Sequence, residues 1–225
     1  PNMSRMDWAV ELFQWFNYYL KDIGDEPEPM VQIQTNDGRW HVEDTWPPED
    51  MTWNLADIGT DWMVTGDTVN GQGASVTLVS GELTELTHIS GLPTLHLEVT
   101  TQACQGGQIF ATLYDNEDNL RLGHATMDVR YRDGGYDAKA TSPFSSYTML
   151  MEFNPLDVVV PAGHTLRIEL TENGEDYLPS PCASNPLGGL TVDGGVVGLP
   201  IIDRPKSHDS WFLAPPWWEQ QPIPE

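Results

Sequence analysis

Alternation of apolar and polar residues dominates the later part of the chain. Over 165–171, Leu166, Ile168 and Leu170 alternate with Arg167 and Glu169, so three apolar side chains share one strand face and two charges share the other. The run just before it, Val158 to Val160, ends in Pro161-Ala162-Gly163. Proline presets φ at the first corner of such a turn and glycine tolerates positive φ at the second, which predicts two neighbouring strands. From Ala74 onward the same punctuation recurs. It predicts strands over 76–79, 83–89, 94–101, 108–114, 124–131, 147–153, 156–160, 165–171, 190–192 and 196–201. Many short strands with no helix between them predict a mainly β fold, an antiparallel jelly-roll β-sandwich over 54–202.

Helical spacing governs the other end. Over 4–22, Ala9, Leu12, Phe13, Phe16 and Leu20 recur every three or four residues, and Ser4 with Asp7 resembles a capping box. Gly24 is the expected stop. Trp8, Phe13, Trp15, Phe16, Tyr18 and Tyr19 widen the apolar stripe beyond what a helix on a small sandwich needs, which predicts a larger partner surface. An acidic linker at 25–29, a short strand at 31–35 and a turn at Asn36-Asp37-Gly38 follow. The segment 40–53 reads as an irregular connector pinned by tryptophans, with Pro47-Pro48 excluding helix. Residues 203–225, with Pro215-Pro216-Trp217-Trp218, read as an extended tail packed on a surface. The expected units are therefore 1–53, 54–202 and 203–225.

Composition narrows the function. The 225 residues include 34 acidic and 10 basic side chains, a net charge of −24 that repels phosphate backbones and anionic lipid, so nucleic acid is not an expected partner. A solvated acidic surface, from a saline or extracellular habitat, accounts for the charge; the alternative is a patch that attracts a cationic substrate. No apolar run reaches the roughly 18 residues of a membrane span. The chain opens Pro-Asn-Met and reads as the tail of something longer. Cys104 and Cys182 fall after expected strands that could end on the same side of a sandwich. A disulfide between them implies an oxidising compartment, extracellular or at the cell surface; otherwise they are two unrelated small residues, one or both buried.

Candidate chemistry is sparse. There is no Gly-x-Ser-x-Gly elbow. His41, His88, His96, His124, His164 and His208 are scattered, without the paired spacing of a zinc site. The run Asp115-Asn116-Glu117-Asp118-Asn119 faintly resembles a calcium loop but lacks its glycine and distal glutamate, and reads as a polar hairpin turn. Asp133-Gly134-Gly135-Tyr136-Asp137 reads as a loop. His96 and Glu98 lie opposite Leu95, Leu97 and Val99, on a wet or interface face. A sugar platform is conceivable from 9 tryptophans, yet Trp8, Trp15, Trp40, Trp46, Trp53 and Trp62 precede the expected strands and Trp211, Trp217 and Trp218 follow them. Packing against another domain accounts for them better.

Three ordered stretches then resemble a family. PTLHLEVTT, IFATLYDNEDNLRLGHATMDVRYRDG and MEFNPLDVVVPAGHTLRIELTEN look like the jelly-roll, galactose-binding-like carboxy-terminal domain of the X-Pro dipeptidyl-peptidase and cocaine esterase (CocE/NonD) serine hydrolases. The carriers are Phe110, Ala111, Leu113 and Asp115; Arg130, Tyr131, Arg132 and Asp133; and Pro161, Gly163, His164, Leu166, Arg167 and Leu170. The resemblance extends back to about Trp8, where the helix and strand are similar to those that close the family's α/β-hydrolase domain. It implies that the catalytic serine, aspartate and histidine lie upstream of Pro1, that no catalytic, cofactor or metal residue falls here, and that His164 and Arg167 are scaffold. The implied partner is the upstream hydrolase domain, with a homo-oligomer open; the family pattern does not demand the Cys104 and Cys182 pair. A free-standing carbohydrate-binding jelly roll is the alternative function.

Overall fold

The computed structural model describes residues 6–27, 31–38, 40–104, 106–174, 177–203 and 211–212. Helix α1 (Met6–Lys21) precedes β1 (Val31–Gln34) and β2 (Trp40–Glu43). Then come β3 (Thr52–Asp57), β4 (Trp62–Thr65), β5 (Thr68–Val69), β6 (Val76–Ser80), β7 (Thr87–Gly91) and β8 (Thr94–Thr101). The order continues with β9 (Gln108–Asp115), β10 (Leu120–Asp128), β11 (Ser146–Glu152), β12 (Leu156–Val160), β13 (Leu166–Thr171), β14 (Leu190–Ile202) and β15 (Trp211–Phe212). Two compact units emerge: Pro1–Pro48 with Arg204–Glu225, and Glu49–Asp203. Among the described residues no helix is long and apolar enough to cross a membrane.

In the first unit β1, β2 and β15 form one antiparallel sheet, so 40–43 is a strand where a connector was expected. Gly38, with φ 84°, turns the chain between β1 and β2. The helix ends earlier than Gly24 suggested. Asp22 takes the left-handed conformation, its N–H donates to the Tyr18 carbonyl, and the Ile23 N–H donates to the Asn17 carbonyl, which closes the last turn. Phe13, Trp15, Tyr19 and Leu20 are exposed along it. The proposed cap at Ser4 and most of the tail, including Trp217 and Trp218, lie outside the described residues.

The second unit is the expected antiparallel β-sandwich. One sheet runs β10-β9-β13-β6-β4; the other runs β11-β8-β14-β7-β12, with β3 and β5 also on β14. Alternation works as expected in β8, where Leu95, Leu97 and Val99 are buried and His96 and Glu98 exposed. Between the sheets they meet Ile109, Ala111, Leu113, Ile168 and Leu170 in a single core. Burying each large apolar side chain contributes roughly 1.5–3 kcal/mol.

Four expectations change. Strands β12 and β13 are not neighbours: β12 pairs with β7 in one sheet and β13 with β6 and β9 in the other. Both bury valine or leucine in the shared core, so the 161–165 turn is a sandwich corner, held by Gly163 N–H to the Leu83 carbonyl and Leu83 N–H to the His164 carbonyl. Those bonds also remove Leu83 from the expected strand 83–89, which starts at Thr87. The strand expected over 124–131 runs Leu120–Asp128 instead, because the Asp128 carboxylate accepts the Arg130 N–H at 2.8 Å and caps a short 3₁₀ turn, Val129–Tyr131. Finally, 190–192 and 196–201 are one strand that continues through a bulge between Val192 and Gly194. Strands β3, β4 and β5 were not foreseen, and they place Trp53 and Trp62 on the sandwich.

Candidate functional site

Two of the three family-like stretches meet at one corner, while Arg130 to Asp133 follow the far end of β10, where Asp128 pairs with Gln108. The β9–β10 hairpin carries Asp115 to Asn119, and the 161–165 turn meets it. The His164 ring lies with Nδ1 2.9 Å and 3.0 Å from the two oxygens of buried Asp115. Glu117 accepts the Thr165 N–H at 2.6 Å and its hydroxyl at 3.0 Å. Arg167 donates to Asn116 at 3.0 Å and Asn119 at 2.6 Å, while its guanidinium stacks 4.5 Å from the Tyr114 ring. Asp115, Asn116, Glu117 and Asn119 of the hairpin are thus spent on holding the corner.

Electrostatics agree with that role. The hydrogen bond to Asp115 raises the His164 pKa, desolvation opposes it, and the charges of Asp115, Asp118 and Glu117 add lesser upward pushes. The bonds from Thr165, its backbone N–H first, lower that of Glu117. Asp115, Asp118 and His164 carry possible ligand atoms within 4.8 Å of one another. Because Asp115 and His164 already satisfy each other, this is a closed clamp more than an open ligand set.

The remaining sequence candidates do not assemble into a nucleophile. Buried His88 lies 2.5 Å from Asp157 across β7 and β12. His124 meets the Tyr177 hydroxyl at 3.3 Å, and His41 meets Glu43 at 2.6 Å. His96 faces solvent, and His208 is outside the described residues. Among the described residues no serine hydroxyl bonds the His164 ring. Arg130 is locked onto Asp128 at 2.6 Å, and Arg132 donates to the Val129 carbonyl at 3.1 Å while lying 4.5 Å from the Tyr147 ring. A shallow groove of ≈ 550 Å³ lies beside them, walled by Met127, Tyr131, Tyr177 and Leu178.

At that end of the sandwich Cys104 and Cys182 are bonded, with Cα atoms 5.9 Å apart. The bond ties the β8–β9 loop to the long β13–β14 connection. Sequence reasoning passed over Glu172, just after β13. It is buried, neither carboxylate oxygen has a well-aligned hydrogen-bond donor, and burial pushes its pKa up. The Ser180 hydroxyl and Gly71 amide are close enough to ease that shift, and Asp128 adds to it.

Fold and corner together define a β-sandwich domain in which His88 and His164 are tied to carboxylates of neighbouring strands. Residues 61–187 match the X-Pro dipeptidyl-peptidase C-terminal non-catalytic domain. The chain belongs to that family. A Bacillus anthracis protein whose name assigns it as a Xaa-Pro dipeptidyl-peptidase is 24% identical over 88% of this chain and 38% of its own length. Two crystal structures share the fold. One is a CocE/NonD family hydrolase from Staphylococcus aureus, with TM-score 0.62, 14% identity, 88% of this chain and 46% of that one. The other is an aminopeptidase from a marine sediment Thaumarchaeota archaeon, with TM-score 0.64, 15% identity, 85% of this chain and 44% of that one. The chain therefore spans less than half the length of these relatives.

Proposed function

We propose that this chain is the carboxy-terminal part of a serine hydrolase of the X-Pro dipeptidyl-peptidase and cocaine esterase kind. It packs against a preceding α/β-hydrolase domain and borders its cleft, where a serine attacks a peptide, ester or amide carbonyl with histidine and aspartate assisting. Family membership over 61–187, in relatives of which this chain covers less than half, carries this reading. The exposed apolar side chains of α1 support a missing partner surface. A sugar-binding role gains nothing from Trp62, which is core. The disulfide supports secretion or display at the cell surface.

The 225-residue chain alone is expected to hydrolyse neither X-Pro nor simple ester chromogens and to take no fluorophosphonate label. The full-length polypeptide is expected to do both. Turnover by the short chain that a serine-directed inhibitor abolishes would overturn the reading.

A further inference from the structure

Alternation in β13 sets Leu166, Ile168 and Leu170 on the core side, which gives position 172 the same side, one residue past the last pair, Thr171 with Phe110. The chain puts a glutamate there. It is 1% exposed, and neither carboxylate oxygen holds a well-aligned hydrogen bond. An arginine at this end of the sandwich is already spent. A Cβ on Gly106 would lie 3.6 Å from both Arg130 Nε and Cys182 Sγ, yet Arg130 gives that Nε and a terminal nitrogen to Asp128 at 3.0 Å and 2.6 Å. Asp128 itself acts on Glu172 as a like charge. The covering segments offer no cation: 102–107 and 177–189 carry no charged side chain, their ionisable groups being Tyr177 and the bonded Cys104 and Cys182. The 66–75 turn carries only Asp67, which is exposed and accepts the Thr68 hydroxyl at 3.0 Å. An ionised Glu172 is therefore a buried charge without compensation.

Residues 180–189 form a flap over this end. Three successive turns shape it: Ala183 N–H donates to the Ser180 carbonyl at 2.9 Å, Asn185 N–H to the Cys182 carbonyl at 2.9 Å and Gly188 N–H to the Asn185 carbonyl at 2.8 Å. Its ties to the sandwich are light. Gln102 N–H reaches the Gly189 carbonyl and Ala103 N–H the Leu187 carbonyl, each at 3.1 Å, and the Gln72 side-chain amide reaches the Ala183 carbonyl at 3.3 Å. Ala183 also lies against Gly71, where a Cβ would come within 2.1 Å of its carbonyl oxygen, and both Gly71 and Ser180 adjoin Glu172. The carboxyl thus sits under the seam between the 66–75 turn and the flap. The Cys104–Cys182 bond is the flap's one covalent cross-link.

We propose that Glu172 is a pH-operated release for the 180–189 flap: neutral, it lets the flap close over it, and ionised, it drives the flap away from Gly71 and Gln72 while the Cys104–Cys182 bond keeps the flap attached. Opening admits water to the carboxylate and leaves the core between the sheets in place, so it is a local event and not unfolding of the sandwich. A carboxyl that ionises more readily in the open state makes the open fraction rise by up to about tenfold per pH unit. The rise begins near the ordinary value of 4.5 and levels off above the closed-state value, which burial pushes up. Leu178, two residues before Ser180, walls the groove of ≈ 550 Å³, so release of the flap also loosens one side of that groove.

Hydrogen–deuterium exchange of the oxidised 225-residue chain tests this, with Glu172→Gln as the shape-preserving variant and Glu172→Met as a second that suits the core side. The flap amides of Ala183, Asn185 and Gly188 are compared between proteins at equal pH, so that the chemical exchange rate cancels. The ratio of wild-type to variant exchange there is expected to rise at least about tenfold from pH 4 to pH 8. In wild type at pH 8 these amides are also expected to exchange at least about tenfold faster than Ala111, Leu113 and Ile168 in β9 and β13, once chemical rates are corrected. A ratio that stays constant across this range overturns the proposal. So does a flap as protected at pH 8 as those core strands, because it would then open only with the whole sandwich. If neither variant folds, wild type alone decides: corrected flap exchange that climbs at least about tenfold from pH 4 to pH 8 supports the release, and a flat profile overturns it.

Discussion

His164 and Glu117 hold one turn through shifts of opposite sign, and the pH at which each matters follows from that. A histidine whose folded pKa is raised contributes stability that is complete below its ordinary value of 6.5 and is lost as pH rises through the folded value. A glutamate whose folded pKa is lowered contributes stability complete above 4.5 and lost as pH falls through the folded value. Both are complete between those limits. The melting-temperature deficit of His164→Gln should therefore shrink as pH climbs above 6.5, and that of Glu117→Gln should shrink below 4.5. Deficits that stay constant from pH 4 to 9 would show that neither charge matters. Glu172 has the other sign for a carboxyl: its raised pKa weakens the fold as pH rises from 4.5 through the folded value. Glu172→Gln keeps the shape and removes the charge, so it should melt above the wild type at pH 7.5 and level with it at pH 4. Each kcal/mol gained reads as roughly 2–4 °C in a domain of this size; an unchanged or lower melting point at pH 7.5 would refute the account. The structural role of His164 was legible because it sits in an ordered motif. That of Glu172 was not, since Leu170-Thr171-Glu172-Asn173 reads as a strand running into solvent, and only the fold closes loops over it.

Strands were legible where alternation and turn chemistry agreed, as in β8 and β12, whose bounds match the expected 94–101 and 156–160. They were missed where the side chains face the unusual way. β3 carries its tryptophan and leucine outward, and β4 is only four residues, Trp-Met-Val-Thr, with Trp62 alone buried. Turn chemistry at 161–163 gave the corner but could not say that it links two sheets, because pairing depends on partners far away in sequence. Trp62 tests whether β4 is part of the core: it is 2% exposed, so Trp62→Ala should cost about 3–5 kcal/mol in urea unfolding, against less than about 0.5 kcal/mol for a change to Met63 on the outer face. Similar costs at the two positions would mean that β4 is peripheral. The Cys104–Cys182 bond closes a loop 78 residues apart in sequence. Restricting the unfolded chain over that length stabilises by roughly 2–5 kcal/mol. The Cys104→Ser, Cys182→Ser double variant should lose about that much in urea, and wild type in reductant should match it. A double variant as stable as the oxidised protein would show that the loop hydrogen bonds, Gln102 N–H to Gly189 and Ala103 N–H to Leu187, hold this end alone.

At the scale of the whole chain, charge opposes folding while the sheets favour it. With 34 acidic and 10 basic residues, most carboxylates have no cation to meet. Among the described residues the arginine ion pairs of the sandwich are local: Arg130 serves Asp128, two residues away, and Arg167 serves Glu169, also two away. Pairs that close in sequence survive partly in the unfolded chain and are worth little net. Repulsion among the remaining carboxylates is different, because folding brings charges from distant strands within one Debye length, about 10 Å at 0.1 M salt. Screening should thus relieve the folded state more than the unfolded one. The melting temperature at pH 7.5 is expected to rise between 10 mM and 300 mM sodium chloride, and to do so equally for chloride salts of other monovalent cations, since screening does not depend on which ion supplies it. A fall with salt would mean that attractive pairs dominate. A rise with one cation only would point instead to site binding, for which Asp115, Asp118 and His164 are the group to substitute first.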